Sequence, residues 1–163
     1  MQTKLLFFIF FTVYSSYVSA QKIRIVTEIL PPFQMLDNNQ QPTGVMVDIV
    51  NALLEDTGIQ ASIEFYPWAR SYKIAKNTSN TLIFSMLRNK QRENHFQWIG
   101  KLYTGKYQLV GLKTNTNINI NSLEDAKKYS VGTIRNDLAE SYFVKKGFVI
   151  NDNLFLTATP DAL

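Results

Sequence analysis

Three groups of polar and aromatic side chains follow the segments that the sequence predicts to be β-strands. Glu28 follows the first segment, residues 66–70 follow the second, and residues 85–92 follow the third. They supply one carboxylate, an aromatic pair, guanidinium groups and a hydroxyl. An arginine fork binds a carboxylate through two parallel hydrogen bonds, and a glutamate can receive an ammonium group. These side chains suit the binding of a small polar molecule.

The segments that position these side chains alternate between strand and helix. Apolar residues recur at helical spacing from Met46 to Leu54, and Gly58 is placed to end that helix. Pro67 opens a second helix. The predicted strands are 22–27, 61–65 and 81–86, and the predicted helices run from 46 to Gly58 and from Pro67 to Lys76. This order makes two βαβ units and a mostly parallel open sheet, whose ligands bind beyond the carboxyl ends of the strands.

A second α/β unit begins after a polar connection. Residues 103–113 are predicted to be extended, and residues 114–121 are polar. A capping-box-like start at Ser122, a strand at 129–134 and a helix at 136–146 follow, and Gly147 is placed to end that helix. We expect a first lobe at residues 21–110 and a hinge crossing with a partial second lobe at residues 111–163. A second lobe of typical size needs roughly 50 further residues, so the sequence suggests a truncated product or a fragment.

The N-terminus has the composition of an export signal. Lys4 precedes an apolar run at residues 5–14 and a small, polar stretch at residues 15–20. This predicts a signal peptide, residues 1–20, that is cleaved after Ala20. Its apolar core is shorter than the ~20 residues of a transmembrane helix, so we expect an exported, soluble protein.

Composition and motifs exclude several classes of protein. The formal net charge of +4 falls to +3 when Lys4 is removed, and the basic residues are scattered, so a nucleic-acid partner is not expected. The chain has no cysteine, and its seven glycines are never spaced as in a dinucleotide fingerprint or a P-loop. The single histidine, His95, has no motif partner for a metal. We therefore predict no cofactor and no metal.

Several segments, in this order and spacing, resemble one known family. They are Thr27–Phe33, Gly44–Ile49, Pro67–Arg70, Ser85–Glu93 and Phe96–Gly100, and then Ser122–Asp125 and Val131–Arg135 for the second lobe. The family is that of the family 3 extracellular solute-binding proteins, the periplasmic receptors of polar amino-acid ABC transporters. The resemblance covers residues 22–157.

The resemblance implies a fold and a role. The fold would be α/β and periplasmic-binding-protein type II-like, with two lobes, open mostly parallel sheets and an incomplete second lobe. The protein would be a periplasmic monomer without enzymatic activity. It would capture a small polar solute, an amino acid or a related compound, and deliver it to an ABC permease in the inner membrane. Because the return strands of the second lobe are missing, we expect this chain to bind weakly or not at all.

The resemblance also assigns roles to residues. Arg92 matches the arginine that pairs with the α-carboxylate of the ligand. Ser85 and Leu87 match strand-end positions that contact ligand, and Glu28 matches an acidic or polar position near the ligand amine. We add Arg70 as a further candidate, because it follows the second strand.

Each of these assignments has a structural alternative. Arg92 could instead be a solvated residue that pairs with Glu93 or a neighbour. Arg88 is a weaker candidate, because alternation along a strand would direct it away from the side of Arg92. Tyr66 and Trp68 could line the cleft, and packing between helix and sheet explains them equally well.

Three positions depart from the family pattern. Leu30 stands where an aromatic ring often stacks on the ligand, and Leu87 replaces a usual hydroxyl. In the second lobe, Asp137 stands at a helix N-terminus that holds a carboxylate in amino-acid receptors. As an N-cap it would take the backbone amides itself and repel an anion, and Arg135 nearby would partly offset that repulsion. A cationic or less carboxylate-like solute therefore fits at least as well as a standard amino acid.

Two other classes of protein share this fold. One is an enzyme, such as a periplasmic dehydratase or a protein associated with lytic transglycosylases, and it would need a general acid or base from among Glu28, Asp137 and His95. The other is the extracellular sensory domain of a signalling protein. Fold analogy does not separate these classes, because function depends on the site.

Overall fold

The computed structural model describes residues 22–160 of the chain. The predicted signal peptide lies outside the described residues. The strands are β1 (Ile23–Thr27), β2 (Met35–Leu36), β3 (Pro42–Thr43), β4 (Ala61–Phe65), β5 (Thr81–Ile83), β6 (Val131–Ile134) and β7 (Leu154–Thr157). The helices are α1 (Val45–Thr57), α2 (Trp68–Asn77), α3 (Leu123–Ala126) and α4 (Leu138–Lys145), with a short 3₁₀ helix at Glu93–His95.

The first lobe is built on a parallel sheet with the order β4-β1-β5. The register aligns Ile23 with Ala61 on one side and Arg24 with Thr81 on the other. All three strands therefore end at the same edge. The apolar face of α1 packs on this sheet in a core that contains Ile25, Met46, Val47, Val50 and Phe84.

The second lobe is a smaller unit around its own core. Strands β6 and β7 pair in parallel, with Val131 opposite Leu154. Helix α4 covers them through Phe143, whose ring packs at a tilt against that of Phe148 with centroids 4.8 Å apart. The chain turns out of α4 at Gly147 with a φ of 87°, as the sequence predicts for a residue that ends a helix.

Two predicted elements differ from the structure. The third strand ends at Ile83 rather than Met86, because Ser85 has a φ of 59° and breaks the extended backbone. Residues 103–113 were expected to be extended, but they form no strand within the described part of the chain. A strand needs a neighbour to pair with, and the described residues offer none to this segment.

Gly44 fixes the approach of the turn at Phe33 to the start of α1. It has a φ of 116°, and a Cβ there would lie 2.6 Å from the Phe33 oxygen. That oxygen accepts a hydrogen bond from the Met46 amide at 2.8 Å. The turn and the helix can come this close only with glycine at position 44.

We predict that Gly44→Ala lowers the free energy of unfolding by about 2–4 kcal/mol, because it adds a backbone clash to an unfavourable φ. Gly58→Ala is the matched control, since Gly58 has a φ of 66° but a Cβ there would meet no described atom within 4 Å. It should cost only about 1 kcal/mol. Urea unfolding measures both values, and equal losses would contradict the steric argument.

Candidate functional site

The two lobes meet at one main-chain oxygen. The Asn136 oxygen, in the turn before α4, accepts hydrogen bonds from Trp68 Nε1 at 2.9 Å and from Arg92 Nη2 at 3.2 Å. Trp68 opens α2, and Arg92 follows the third strand of the first lobe. Residues beyond the carboxyl ends of the first sheet therefore face the N-terminus of α4.

Arg92 is buried at this junction, with 5% of its surface exposed. Its Nη1 donates to the Leu87 oxygen at 3.0 Å. Its guanidinium carbon lies 5.2 Å from the ring centroids of Trp68 and Tyr72. The alternative of a solvated Arg92 paired with Glu93 is therefore wrong. Main-chain oxygens and aromatic rings surround this guanidinium.

Arg88 is the arginine that pairs with Glu93. The bond from its Nε to Glu93 Oε2 is 2.8 Å, and its Nη2 contacts the other carboxylate oxygen. Hydrogen bonding to Arg88 lowers the pKa of Glu93. With 60% of its side chain exposed and its guanidinium carbon 5.3 Å from the centroid of Trp98, Arg88 lies at the surface.

Glu28, directly after β1, is partly buried, and its Oε2 is fully buried. This oxygen has no hydrogen-bond partner among the described residues. Burial raises the pKa of Glu28 to about 7, and the negative charge of Asp137 adds to the rise. The side chain borders a cavity of about 130 Å³ between the lobes, which is lined by Glu28, Ile29, Phe65, Tyr66, Pro67, Thr159 and Pro160.

Tyr66 also lines this cavity, but its hydroxyl is already bonded. The hydroxyl donates to Glu64 at 2.6 Å and accepts from Arg24 at 3.0 Å. Arg24 and Glu64 form a two-bond ion pair across β1 and β4, with both bonds at 2.7 Å. Arg70, which is exposed, lies over the Tyr66 ring at 4.2 Å. Tyr66 therefore offers the cavity its ring rather than its hydroxyl.

Asp137 caps α4, as the sequence predicts. Its Oδ1 accepts from the Leu138 amide at 2.6 Å. Tyr107 donates its hydroxyl to Asp137 Oδ2 at 3.1 Å, and Glu140 accepts from the Asn136 amide. Carboxylates of the chain thus already occupy two amides at the start of α4. Arg135 is exposed, and its own amide pairs with Thr157.

Ser85 contacts a residue that the sequence did not single out. Its hydroxyl donates to Gln34 Oε1 at 2.8 Å, and Gln34 is completely buried. The Gln34 Nε2 has no partner among the described residues. Sequence reasoning also missed Tyr72, Tyr107 and the Asn136 oxygen, because a main-chain acceptor or a distant ring leaves no local sequence signal. Leu87 takes part only through its main-chain oxygen.

A second, wider groove of about 430 Å³ lies between α2 and α4. Arg92 and Tyr72 line it on the first lobe, together with the exposed Lys73 and Lys76, and Glu140 lines it on the second. Among the helices at residues 22–160, none is long and apolar enough to cross a membrane. The same residues contain no cluster of three or more side chains suited to a metal ion.

We predict that Glu28→Gln stabilises the protein at high pH but not at low pH. In the unfolded chain Glu28 has the ordinary pKa of 4.5 and ionises above that pH. In the folded protein its pKa is about 7, so it keeps its proton up to that pH. The native state binds more protons in this interval, so Glu28 makes the protein less stable as the pH rises through it. The variant should gain about 1–3 kcal/mol over the wild type above pH 7 and nothing below pH 4.

Urea unfolding at several pH values measures the difference in stability between the wild type and Glu28→Gln. All other carboxylates are common to the two proteins, so their pH dependence cancels in this difference. Glu55→Gln, at an exposed position of α1, is the control and should show no pH-dependent gain. If the Glu28→Gln profile runs parallel to that of the wild type, Glu28 is not the buried carboxyl described above.

Three solved structures show the likeness of the fold. A histidine kinase sensor domain with similarity to periplasmic binding proteins has a TM-score of 0.69 and 19% identity, over 87% of this chain and 61% of that one. An ancestral arginine-binding protein bound to glutamine has a TM-score of 0.63 and 20% identity, over 86% of this chain and 62% of that one. A periplasmic binding protein of an arginine transport system from Legionella pneumophila has a TM-score of 0.60 and 14% identity, over 86% of this chain and 61% of that one.

The chain thus spans about three fifths of the length of these proteins, which fits an incomplete second lobe. The prediction of a two-lobed, periplasmic-binding-protein type II-like α/β fold is confirmed. Comparison with curated protein sequences found no match. The family model of the bacterial extracellular solute-binding proteins, family 3, matches residues 23–158. Because that match covers most of the chain, the protein belongs to the family 3 bacterial extracellular solute-binding proteins.

Proposed function

We propose that this protein is the periplasmic receptor of an ABC transporter and that it captures a small polar solute between its two lobes. The observation that carries the proposal is the shared Asn136 oxygen, which joins the second lobe to Trp68 and Arg92 at the carboxyl ends of the first sheet. Ligands of open parallel sheets bind at such edges. The family is one of solute-binding proteins, which supports the same role.

Capture would proceed by hinge closure. Residues 99–112 connect the lobes without regular secondary structure, so that rotation there costs few hydrogen bonds within the described chain. In the closed arrangement Asn136 contacts α2, and Thr159 and Pro160 line the cavity beside Glu28 from the second lobe. A solute that contacts both lobes favours this arrangement, because it binds the closed form more tightly than the open one.

The candidate residues differ in how they would act on the solute. Glu28 and Tyr66 line the cavity, while Trp68 and Arg92 hold the second lobe. Ser85, Leu87 and Arg135 would act through their positions at the edges of the cleft, and Asp137 through its charge. Arg70 and Arg88 lie at the surface and would affect the solute only at long range.

A sensory role is the second candidate. A histidine kinase sensor domain shares the fold with a TM-score of 0.69. Capture by hinge closure would be the same in a sensor, but its partner would be a signalling domain in the same polypeptide rather than a separate permease. An attached transmembrane helix and kinase in the parent gene would decide for the sensor.

We also propose that the site binds without catalysis. A general acid or base must reach a reacting group, usually with a second group to orient it. Glu28 has the raised pKa of such a group, yet its buried oxygen contacts no described side chain that would orient it. Unchanged solute recovered after prolonged incubation would agree with this proposal.

We predict that one or more small amines, amino acids or carboxylates raise the melting temperature of the protein, because a ligand of the native state stabilises it by mass action. Arg92→Ala should abolish the rise, since the closed arrangement loses its bond to Asn136. Arg88→Ala is the matched control and should keep it, because Arg88 is exposed and pairs only with Glu93.

Thermal-shift screening followed by NMR titration detects binding even where affinity is low. A cooperative melting transition of Arg92→Ala without solute shows that this variant is folded. A folded Arg92→Ala that responds to solute like the wild type would contradict the proposed closure. If no solute changes the melting temperature of this chain, nor that of a longer chain with a complete second lobe, solute capture itself is contradicted.

A further inference from the structure

We propose that the solute is a small organic cation without a carboxylate, such as a diamine or a guanidino-alkylamine, whose cationic head group lies against Glu28. This inference rests on the proposed solute-binding function and names the substrate class of the same site. Two independent observations support this substrate class. One is the cavity beside Glu28, and the other is the set of contacts that occupy Arg92 and the N-terminus of α4.

The walls of the cavity suit an alkyl cation. Its apolar lining comes from Ile29, Phe65, Pro67 and Pro160, and Glu28 is the one charged residue in the lining. The volume is about 130 Å³, and a water molecule occupies about 30 Å³ in the liquid. The cavity therefore holds an ammonium or guanidinium head group with a short alkyl segment, while the rest of the solute extends toward the opening.

Glu28 supplies the acceptor that such a head group requires. Its buried Oε2 has no partner within the described chain, and a buried acceptor without a partner is costly. Asp137 adds a second negative charge close enough to act on Glu28. The N–H groups of a cation would satisfy the free oxygen and offset the repulsion between the two carboxylates. A solute carboxylate in the same place would increase it.

The ring of Tyr66 adds a surface on which a cation can lie. Arg70 already covers this ring at a distance of 4.2 Å from the centroid. Because Arg70 is exposed, its own charge is largely screened by water. Arg70 therefore opposes a bound cation only weakly. Arg24, which donates to the Tyr66 hydroxyl, is already paired with Glu64.

The two places that would otherwise receive a carboxylate are occupied by the chain itself. Arg92 donates from Nη1 to the Leu87 oxygen and from Nη2 to the Asn136 oxygen. Its guanidinium carbon lies 5.2 Å from the ring centroids of Trp68 and Tyr72. This environment stabilises the guanidinium charge without an anion.

The N-terminus of α4 is occupied in the same way. Asp137 accepts from the Leu138 amide, and Glu140 accepts from the Asn136 amide. The Tyr107 hydroxyl donates to Asp137 rather than to the cleft. A solute carboxylate would have to displace these groups and approach two carboxylates at once, which is unfavourable.

The test uses two pairs of compounds that differ only in the carboxylate: agmatine against arginine, and cadaverine against lysine. NMR titration of the 163-residue chain gives the affinity for each. In at least one pair, we expect the compound without the carboxylate to bind at least about tenfold more tightly than the compound with it. Glu28→Gln should weaken that binding about tenfold or more, and Glu55→Gln, an exposed change of the same kind, should leave it unaltered.

Each other outcome overturns a defined part of the account. Tighter binding of arginine and lysine overturns the substrate class and leaves solute capture standing. The same follows if all four compounds fail while another solute binds. If the Glu28→Gln variant melts cooperatively and binds agmatine or cadaverine like the wild type, the placement of the head group against Glu28 is overturned. If no solute of any class binds, either to this chain or to a longer chain with a complete second lobe, the proposed function fails, and this inference fails with it.

Discussion

The hydrogen bonding between the two lobes centres on one main-chain oxygen that two first-lobe side chains share. Asn136 has a φ of 61°, and its oxygen accepts from Trp68 and Arg92. Burying a guanidinium costs several kcal/mol unless hydrogen bonds satisfy it. Here two carbonyl oxygens accept from it, and each aromatic ring contributes about 0.5–2 kcal/mol. One main-chain acceptor thereby stabilises a buried charge and links the two lobes.

The parallel sheet explains why so few residues can build the site. Thr27 lies opposite Phe65 in the register, and the Tyr66 amide donates to the Thr27 oxygen at 2.9 Å. Glu28 and Tyr66 must therefore leave the sheet side by side. Ser85 follows β5, the strand on the other side of β1, so that residues far apart in sequence arrive at one edge. The second lobe adds the turn at Asn136, which bonds to Trp68 and Arg92, and the segment at Thr159 and Pro160, which lines the cavity.

Local sequence signals were enough for the longer helices, the alternation of strands with helices and the caps. The glycines that end α1 and α4 and the N-cap at Asp137 were all predicted, because each depends on a few neighbouring residues. The sequence did not reveal that Ser85 ends the third strand early, or that Gln34 lies buried beneath it. From the sequence, Arg92 was a possible partner of Glu93, whereas the structure pairs Glu93 with Arg88. The two arginines are equally plausible partners until the fold decides which one is buried. Main-chain acceptors such as the Asn136 oxygen belong to every sequence, so only the tertiary structure shows which of them matters.

The most direct test of the account is the distance between the lobes. The chain contains no cysteine, so spin labels can be attached at introduced cysteines that replace Asn51 on α1 and Lys145 on α4, which are both exposed. Double electron–electron resonance then measures their separation. The account predicts one narrow distribution in the otherwise unchanged protein and in Arg88→Ala, and a broad, shifted distribution in Arg92→Ala. The same distribution in all three proteins would contradict the claim that Arg92 and Asn136 hold the lobes together.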